Sequence, residues 1–328
     1  MTSTVPVFLC IDLEPVEREM QLGDTDCWRG VDALVRQLEG LRSRLADATG
    51  DQVQFLWFLR CDPQIEVALG SPDDLLERYD ETFGRLRGAG DGIGLHVHPW
   101  RWEDGDGGWV ADYSDLAWVE HCLDIAFDCY RGRFGSTCDL HRFGDRWFSS
   151  EAIPLLEGLG VRFDLTIEPG ARTLRSISPG EETRGSIPDY TRMPRAPYRP
   201  QPNDFRRPDP TRRTGLWMVP LSAADPAPAM PWRWRIGRRV RFPFRPTHRP
   251  LQMFRHWTSA KAFWDLVERH VESIERPYLA FAIRSGDPDS PDEQLVQSIL
   301  DELPEHSIAS RLRFTTPEAG LASLGYDV

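Results

Sequence analysis

The sequence predicts an α/β fold, a distorted barrel of seven or eight parallel strands wrapped by helices and broken by one Arg/Pro-rich insertion. Three observations carry this. Short apolar runs alternate with helical periodicities through most of the chain, the pattern of βα units around a parallel sheet. Several runs are apolar at every position, as strands covered on both faces require. Four of them end in clusters of acids, histidines or arginines, which a barrel gathers on the rim formed by its C-terminal strand ends.

The elements follow in order. Val5 to Ile11 is the first strand, apolar on both faces. Arg29 to Ala48 carries Val31, Leu34, Val35, Leu38, Leu41 and Leu45 at helical spacing. Val53 to Leu59 is the second strand, and Leu75 to Arg87 a helix with Asp73 and Asp74 favouring its N-terminus. Ile93 to Val97 is a strand and Leu116 to Tyr130 a helix. Cys138 to His141, Val161 to Thr166, Leu216 to Pro220, Tyr278 to Ile283 and Leu312 to Phe314 are the remaining strands. Ser150 to Leu159, Ala260 to Ile274 and Glu293 to Leu300 are the later helices. The rhythm breaks between about residues 169 and 250, rich in Pro and Arg, with one clear strand. It reads as an insertion over one barrel face, so residues 1–328 read as a single domain.

Composition narrows the function. A hydrophobic content of 40% supplies a core, and a formal net charge of -12 disfavours nucleic acid and anionic membranes as partners. No early segment joins a basic start to a long apolar run, so the expectation is no signal peptide, no transmembrane helix and work in the cytoplasm. The six cysteines form no CxxC or CxxH pair and read as reduced, mostly buried thiols.

The polar strand ends are Asp12-Leu13-Glu14-Pro15, Arg60-Cys61-Asp62, His96-Val97-His98-Pro99-Trp100 and Arg142-Phe143-Gly144-Asp145-Arg146-Trp147. On extended chain, residues two apart point the same way, so His96 and His98 can reach one ion. Asp12 and Glu14 share that geometry on a strand end read here as neighbouring. The donor set is nitrogen and oxygen, suited to one divalent ion, zinc before cobalt or nickel. Taken singly, HxH and DxE are ordinary loop features, and Arg142 an ordinary ion-pairing residue; their shared placement at strand ends carries the reading.

With these residues in view, the sequence resembles the polysaccharide deacetylase (NodB-homology) superfamily, in a subgroup with an HxHP second motif. Three stretches carry the resemblance: FLCIDLEP, GLHVHPW and HRFGDRWFSSEAIPLLEGLGVRFDLTIEPG, clear from Val7 to about Gly170 and looser beyond. The resemblance implies Asp12 as catalytic base and Glu14, His96 and His98 as metal ligands. Arg142 would orient Asp12, and backbone N–H groups near Gly144 and Asp145 would stabilise an oxyanion. Asp164 would support the catalytic group. The resemblance also implies hydrolysis of an amide C–N bond, foremost deacetylation of an N-acetylated sugar or glycan precursor. A catalytically silent binding relative and a hydrolase of a small non-sugar amide are the alternatives. In this chain Leu13 separates the two acids, and the histidines are two apart where the family has four. Arg284 in YLAFAIRSGDP stands where the family has a proton-donating histidine, and a guanidinium is a poor proton donor.

Substrate contacts are expected from Trp100, Asp145, Trp147, Asp164, Tyr198 and Arg284, with Arg284 suited to an anionic group. The aromatics Trp100, Trp102, Trp109, Tyr113 and Trp118 either stack on sugar rings or pack their loop on the barrel. For Tyr198, packing is the stronger reading. Seven arginines lie in Trp232 to Pro250, fit either to grip an anion or to form a solvated face paired with the protein's own acids, the reading slightly favoured here. Were Arg284 to lie on the outer surface, the proton donor would be sought among His248, His256 and His270.

Overall fold

The computed structural model describes residues 4–105, 107–174, 182–224, 249–250 and 259–328. Most of the arginine-rich stretch, with His248 and His256, therefore lies outside the described residues.

Eight strands form one parallel sheet: β1 (Val5–Leu13), β2 (Leu56–Leu59), β3 (Gly92–Val97), β4 (Leu140–Phe143), β5 (Phe163–Asp164), β6 (Trp217–Met218), β7 (Leu279–Arg284) and β8 (Leu312–Phe314). These are the eight strands expected from the sequence, with ends shifted by a few residues. The order is β6-β5-β4-β3-β2-β1-β7. β8 pairs with Val5 to Val7 at the start of β1, and its Phe314 carbonyl also accepts the Gln54 N–H at 3.3 Å. The sheet curls into an incomplete barrel. Across the gap between β6 and β7, Ser222 N–H donates to the Ala280 carbonyl at 3.0 Å, and Ala280 N–H to Ser222 Oγ at 2.9 Å.

Strand alternation divides the apolar residues into two layers. Phe8, Cys10, Leu56, Phe58, Leu140, Phe163, Leu165, Tyr278, Ala280 and Ala282 form an inner cluster. Val7, Leu9, Ile11, Trp57, Leu59, Leu95 and Val97 belong to the outer cluster, beneath the helices. β3 contributes glycines inside: a Cβ on Gly94 would lie 2.8 Å from Leu140 Cβ and 2.9 Å from Phe58 Cδ1, so the facing strands use that room. Below, the helix Pro317–Ser323 closes the barrel with Leu321, and a Cβ on its Gly320 would meet Phe8 at 2.4 Å.

The helices are α1 (Arg29–Thr49), α2 (Pro63–Leu69), α3 (Asp74–Arg78), α4 (Asp80–Gly88), α5 (Leu116–Phe134), α6 (Ala152–Gly158), α7 (Ala260–Ser273), α8 (Pro291–Glu302) and α9 (Pro317–Ser323). The expected single helix over residues 75–87 is two, because Tyr79 at φ −112°, ψ 23° steps out of helical geometry. None of the described helices is long and apolar enough to cross a membrane. The Trp100–Glu103 and Gly108–Asp112 strands form a hairpin outside the barrel, extended by Glu182–Arg184. Trp100, Trp109 and Tyr113 are buried there, and Trp102 and Trp118 pack against the core. The structure thus gives the aromatics of this loop a packing role. All six cysteines are free, and five are buried.

Candidate metal and catalytic centre

The inner alternation that begins with apolar residues ends with polar ones at the C-terminal rim. Phe8 and Cys10 lead to Asp12 and Glu14, Leu56 and Phe58 to Arg60, Gly94 to His96 and His98, Leu140 to Arg142, and Ala280 and Ala282 to Arg284. The ends of β1 and β3 are not neighbours, since β2 lies between them; the curl of the sheet brings their side chains together. Backbone and hydroxyl bonds fix the rim of β1: Ser285 N–H donates to the Asp12 carbonyl at 3.0 Å and Glu14 N–H to Ser285 Oγ at 2.8 Å.

Three donor atoms converge. Glu14 Oε1 lies 2.7 Å from His96 Nε2 and 3.4 Å from His98 Nε2, and the two Nε2 atoms are 3.1 Å apart. The other ring nitrogens have partners that set the tautomers. His96 Nδ1–H donates to the Arg142 carbonyl at 2.9 Å, and His98 Nδ1–H to Asp145 Oδ2 at 3.1 Å. Both Nε2 atoms therefore turn lone pairs toward Glu14, an arrangement that is repulsive unless a positive charge sits among the three. Were the rings to carry a proton at Nε2 as well, their hydrogen bonds and charge would hold the Glu14 pKa well below the ordinary range, against the burial that alone would raise it. Burial and Arg60 oppose protonation of His98, yet Asp145 and Glu14 raise its pKa overall. The donor set fits a divalent ion that would take the place of such a proton, with Glu14, His96 and His98 as its protein ligands.

Around this set stand two layers of support. Asp145 lies against His98 and accepts from Trp100 Nε1 at 2.9 Å and from the Tyr113 hydroxyl, and Arg18 pairs with it at 2.6 Å. Burial would raise its pKa, but Arg18 and His98 push it far down, so it stays ionised. Asp145 and Arg146 both adopt left-handed backbone, φ 52° and 61°, uncommon for non-glycine residues and here held by side-chain ties. Gly144 is glycine for a steric reason: a Cβ there would lie 2.1 Å from His98 Nε2. Asp62 caps α2, pairs with Arg60 at 2.6 Å and accepts the His98 backbone N–H at 3.1 Å.

Asp12 is 3% exposed. Arg142 Nε donates to its Oδ2 at 3.1 Å, while its Oδ1 has no hydrogen-bond partner among the described residues. Arg142 also donates to the Leu165 carbonyl at 2.6 Å and meets Glu168 at 3.4 Å. Burial works to neutralise this guanidinium, and Asp12 and Glu168 together keep it charged. Arg284, partly exposed, lies at the rim with Nη1 3.6 Å from Glu14 Oε2.

Other expected residues are placed differently. Asp164 does not reach the rim: it sits between inward-facing Phe163 and Leu165, so its parity turns it outward. There it is fully buried, accepting from His141 Nδ1 at 2.8 Å and from Thr166. Trp100 is fully buried and offers no ring face to a ligand, its indole N–H serving Asp145. Asp145 meets His98 at Nδ1, the ring nitrogen turned away from Glu14. Tyr198 is buried with its hydroxyl donating to the Phe205 carbonyl at 2.7 Å, a packing position. Trp147 stacks on Tyr113 and lines a cleft of about 710 Å³ with Tyr113, Phe148, Ser149, Asn203 and Phe205. His270 is buried away from the rim, bonded to the Ala223 and Tyr278 carbonyls. Glu168, which joins Arg142 to Arg146, and Arg18 were not singled out from the sequence. Glu168 follows a strand end, a signal that could have found it; Arg18 lies in a loop and carried none.

No protein-family model matches the sequence, and a search of curated proteins finds no relative. Solved structures do match. Puue allantoinase aligns at TM-score 0.52 and 13% identity over 97% of this chain and 89% of its own. A probable polysaccharide deacetylase from Pseudomonas aeruginosa aligns at 0.52 and 14%, over 97% and 90%. A candidate glycoside hydrolase/deacetylase from Parabacteroides distasonis aligns at 0.54 and 10%, over 96% and 71%. At such identities the likeness establishes the fold: this chain has the α/β barrel shared by those proteins.

Proposed function

We propose that this protein is a metal-assisted hydrolase of an amide C–N bond, with an N-acetyl group on a sugar or glycan precursor as the foremost substrate. The observation that carries the reading is the convergence of Glu14, His96 and His98 beside an Asp12 whose Oδ1 has no hydrogen-bond partner among the described residues. The fold neighbours named as a deacetylase and an allantoinase support it. A zinc ion suits the nitrogen and oxygen donors, as cobalt or nickel would. When bound, such an ion supplies Lewis-acid chemistry, polarising a carbonyl oxygen and acidifying water.

The chain's own residues do the rest. Arg142 holds Asp12 by Oδ2, leaving Oδ1 to take a proton from water attacking the carbonyl. The C–N bond then breaks, the acyl group leaves as a carboxylic acid, and the amine nitrogen takes a proton. A guanidinium such as that of Arg284 is a poor proton donor; protonated Asp12 is the group placed to return it. His141 and Asp164, on the outer side, brace β4 against β5 and take no part.

The test pairs metal and turnover. Zinc titration should give one site in the native chain and in Asp12→Asn, and none in His96→Ala. Acetate release from a panel of N-acetylated sugars and small amides should fall by roughly 100-fold or more in Asp12→Asn. A native chain that binds no zinc, cobalt or nickel would sink the reading. A silent binding relative is the second reading, favoured by the Arg284 guanidinium 3.6 Å from Glu14. A zinc-loaded native chain that hydrolyses nothing in the panel would favour it.

A further inference from the structure

We infer that the ligand of this site carries a carboxylate close to the carbonyl it presents to the metal pole, and that Arg284 binds that carboxylate. The inference rests on the reading of Glu14, His96 and His98 as the metal centre and narrows the amides they serve to those bearing an acid group, N-acetylated sugars included only where a carboxylate stands beside the acetamide.

Charge balance is the first ground. Arg60 pairs with Asp62, Arg142 with Asp12 and Glu168, Arg146 with Glu168, Arg18 with Asp145, and Arg284 with Glu14. Five guanidinium groups thus meet five carboxylates, and Glu293, whose pKa burial raises to about 7, is a further acid near Arg284. A divalent ion adds two positive charges, more than that one acid offsets. The loaded rim is therefore cationic, inside a chain of net charge -12, and a focused field of that sign favours an anionic ligand.

Geometry selects Arg284 as the reader. The side chains of Arg60 and Arg142 are 3% exposed and lie behind the ligands. Arg18 and Arg146, at 20% and 21%, are tied to Asp145 and Glu168. Arg284 is the most open of the five at 31%, and its contact with Glu14 is long, 3.6 Å. Glu14 turns Oε1 to the histidines and Oε2 to Arg284, so the guanidinium stands one carboxylate's width from the metal pole. A ligand with one oxygen at the pole and an acid group two or three bonds away spans that distance. The guanidinium fork suits a carboxylate in two-point contact. Its strand end is held in place, since Ser285 bonds to both Asp12 and Glu14, so little ordering is lost on binding. N-acylated amino acids and amides of short dicarboxylic acids have this form; a neutral chitin oligomer does not.

Calorimetry with succinate, acetate, neutral succinamide and inorganic phosphate tests it, on zinc-loaded native chain, Arg284→Gln and Arg284→Lys, each checked for zinc content and thermal melt. Succinate should bind the native chain about 10- to 100-fold more tightly than acetate or succinamide. Arg284→Gln should keep zinc and lose that preference to within about threefold, and Arg284→Lys should keep part of it. Equal binding of succinate and acetate by the native chain, or a preference that survives in Arg284→Gln, overturns the proposal. So does phosphate binding more tightly than succinate. Were the chain to bind no zinc, the same titrations on metal-free protein separate the two ideas: an Arg284-dependent succinate preference keeps this assignment while the metal reading falls, and its absence removes both.

Discussion

Alanine in place of Gly144 perturbs the metal ligands through one methyl group. That Cβ would lie 2.1, 2.2 and 2.3 Å from His98 Nε2, Cδ2 and Cε1. Ordinary contact begins near 3.4 Å, so the ring must withdraw by the difference, roughly 1.3 Å. It has no easy retreat, because Asp145 holds its Nδ1 and Asp62 holds its backbone N–H. Metal sites tolerate ligand displacements of about 0.2 Å, so the displaced imidazole ceases to be a ligand. With one of three protein donors gone, zinc affinity should fall by about 100-fold, about 2.8 kcal/mol at ~1.4 kcal/mol per tenfold. Overpacking should cost about 1–3 kcal/mol, which leaves the chain folded with a melting temperature lower by several degrees. Competition against a chromophoric chelator gives the affinity, and circular dichroism with thermal melting gives the fold. A folded Gly144→Ala that binds zinc within about threefold of native would refute the placement of His98 as a ligand.

Two further outcomes follow from buried charge. Arg142→Ala should cost about 3–5 kcal/mol in urea unfolding, because Asp12 and Glu168 lose their shared buried cation; a loss under about 1 kcal/mol would contradict the network. Glu293 is raised to about 7 by burial, against the partial relief of Arg284, so the folded chain keeps a proton that the unfolded chain releases near the ordinary value of 4.5. Its contribution is therefore full below pH 4.5 and is lost as pH rises through about 7. Native stability should drop by at most about 3 kcal/mol over that window, Glu293→Gln should lack this drop, and identical pH profiles for the two chains would rule it out.

The strand set was legible because a barrel strand covered on both faces writes itself as an uninterrupted apolar run, as at Val5 to Ile11. The rim was legible because the inner parity of each run continues into its polar end, as Phe8 and Cys10 continue into Asp12 and Glu14. The same parity places Asp164 outside, a deduction open to the sequence once Phe163 and Leu165 are known to face inward. Glu168 escaped it because alternation breaks after Leu165: Ile167 joins the outer cluster, and the next side chain turns back to Arg142. Arg18 was illegible for another reason. It comes from the loop after β1, and its meeting with Asp145 depends on how that loop is tied down, through Gln64 to the Arg18 carbonyl and Trp109 to the Met20 carbonyl. Helix α2 was missed although Asp62-Pro63 is a strong start signal, because Asp62 was weighed as rim chemistry when it also caps the helix.

The position of β1 sets a schedule for synthesis. Its residues 5–13 leave the ribosome long before their partners in β7 and β8, residues 279–284 and 312–314. At about 5–20 residues per second, Asp12 and Glu14 wait on the order of 15–60 s for the strand that carries Arg284 and Ser285. During that wait one edge of an apolar strand lacks its native partner, the exposure that favours wrong pairing with another chain. Chains arrested before residue 279 should therefore aggregate or recruit chaperones while β1 is already complete, and a peptide copying residues 278–285, supplied in trans, should compete for that edge.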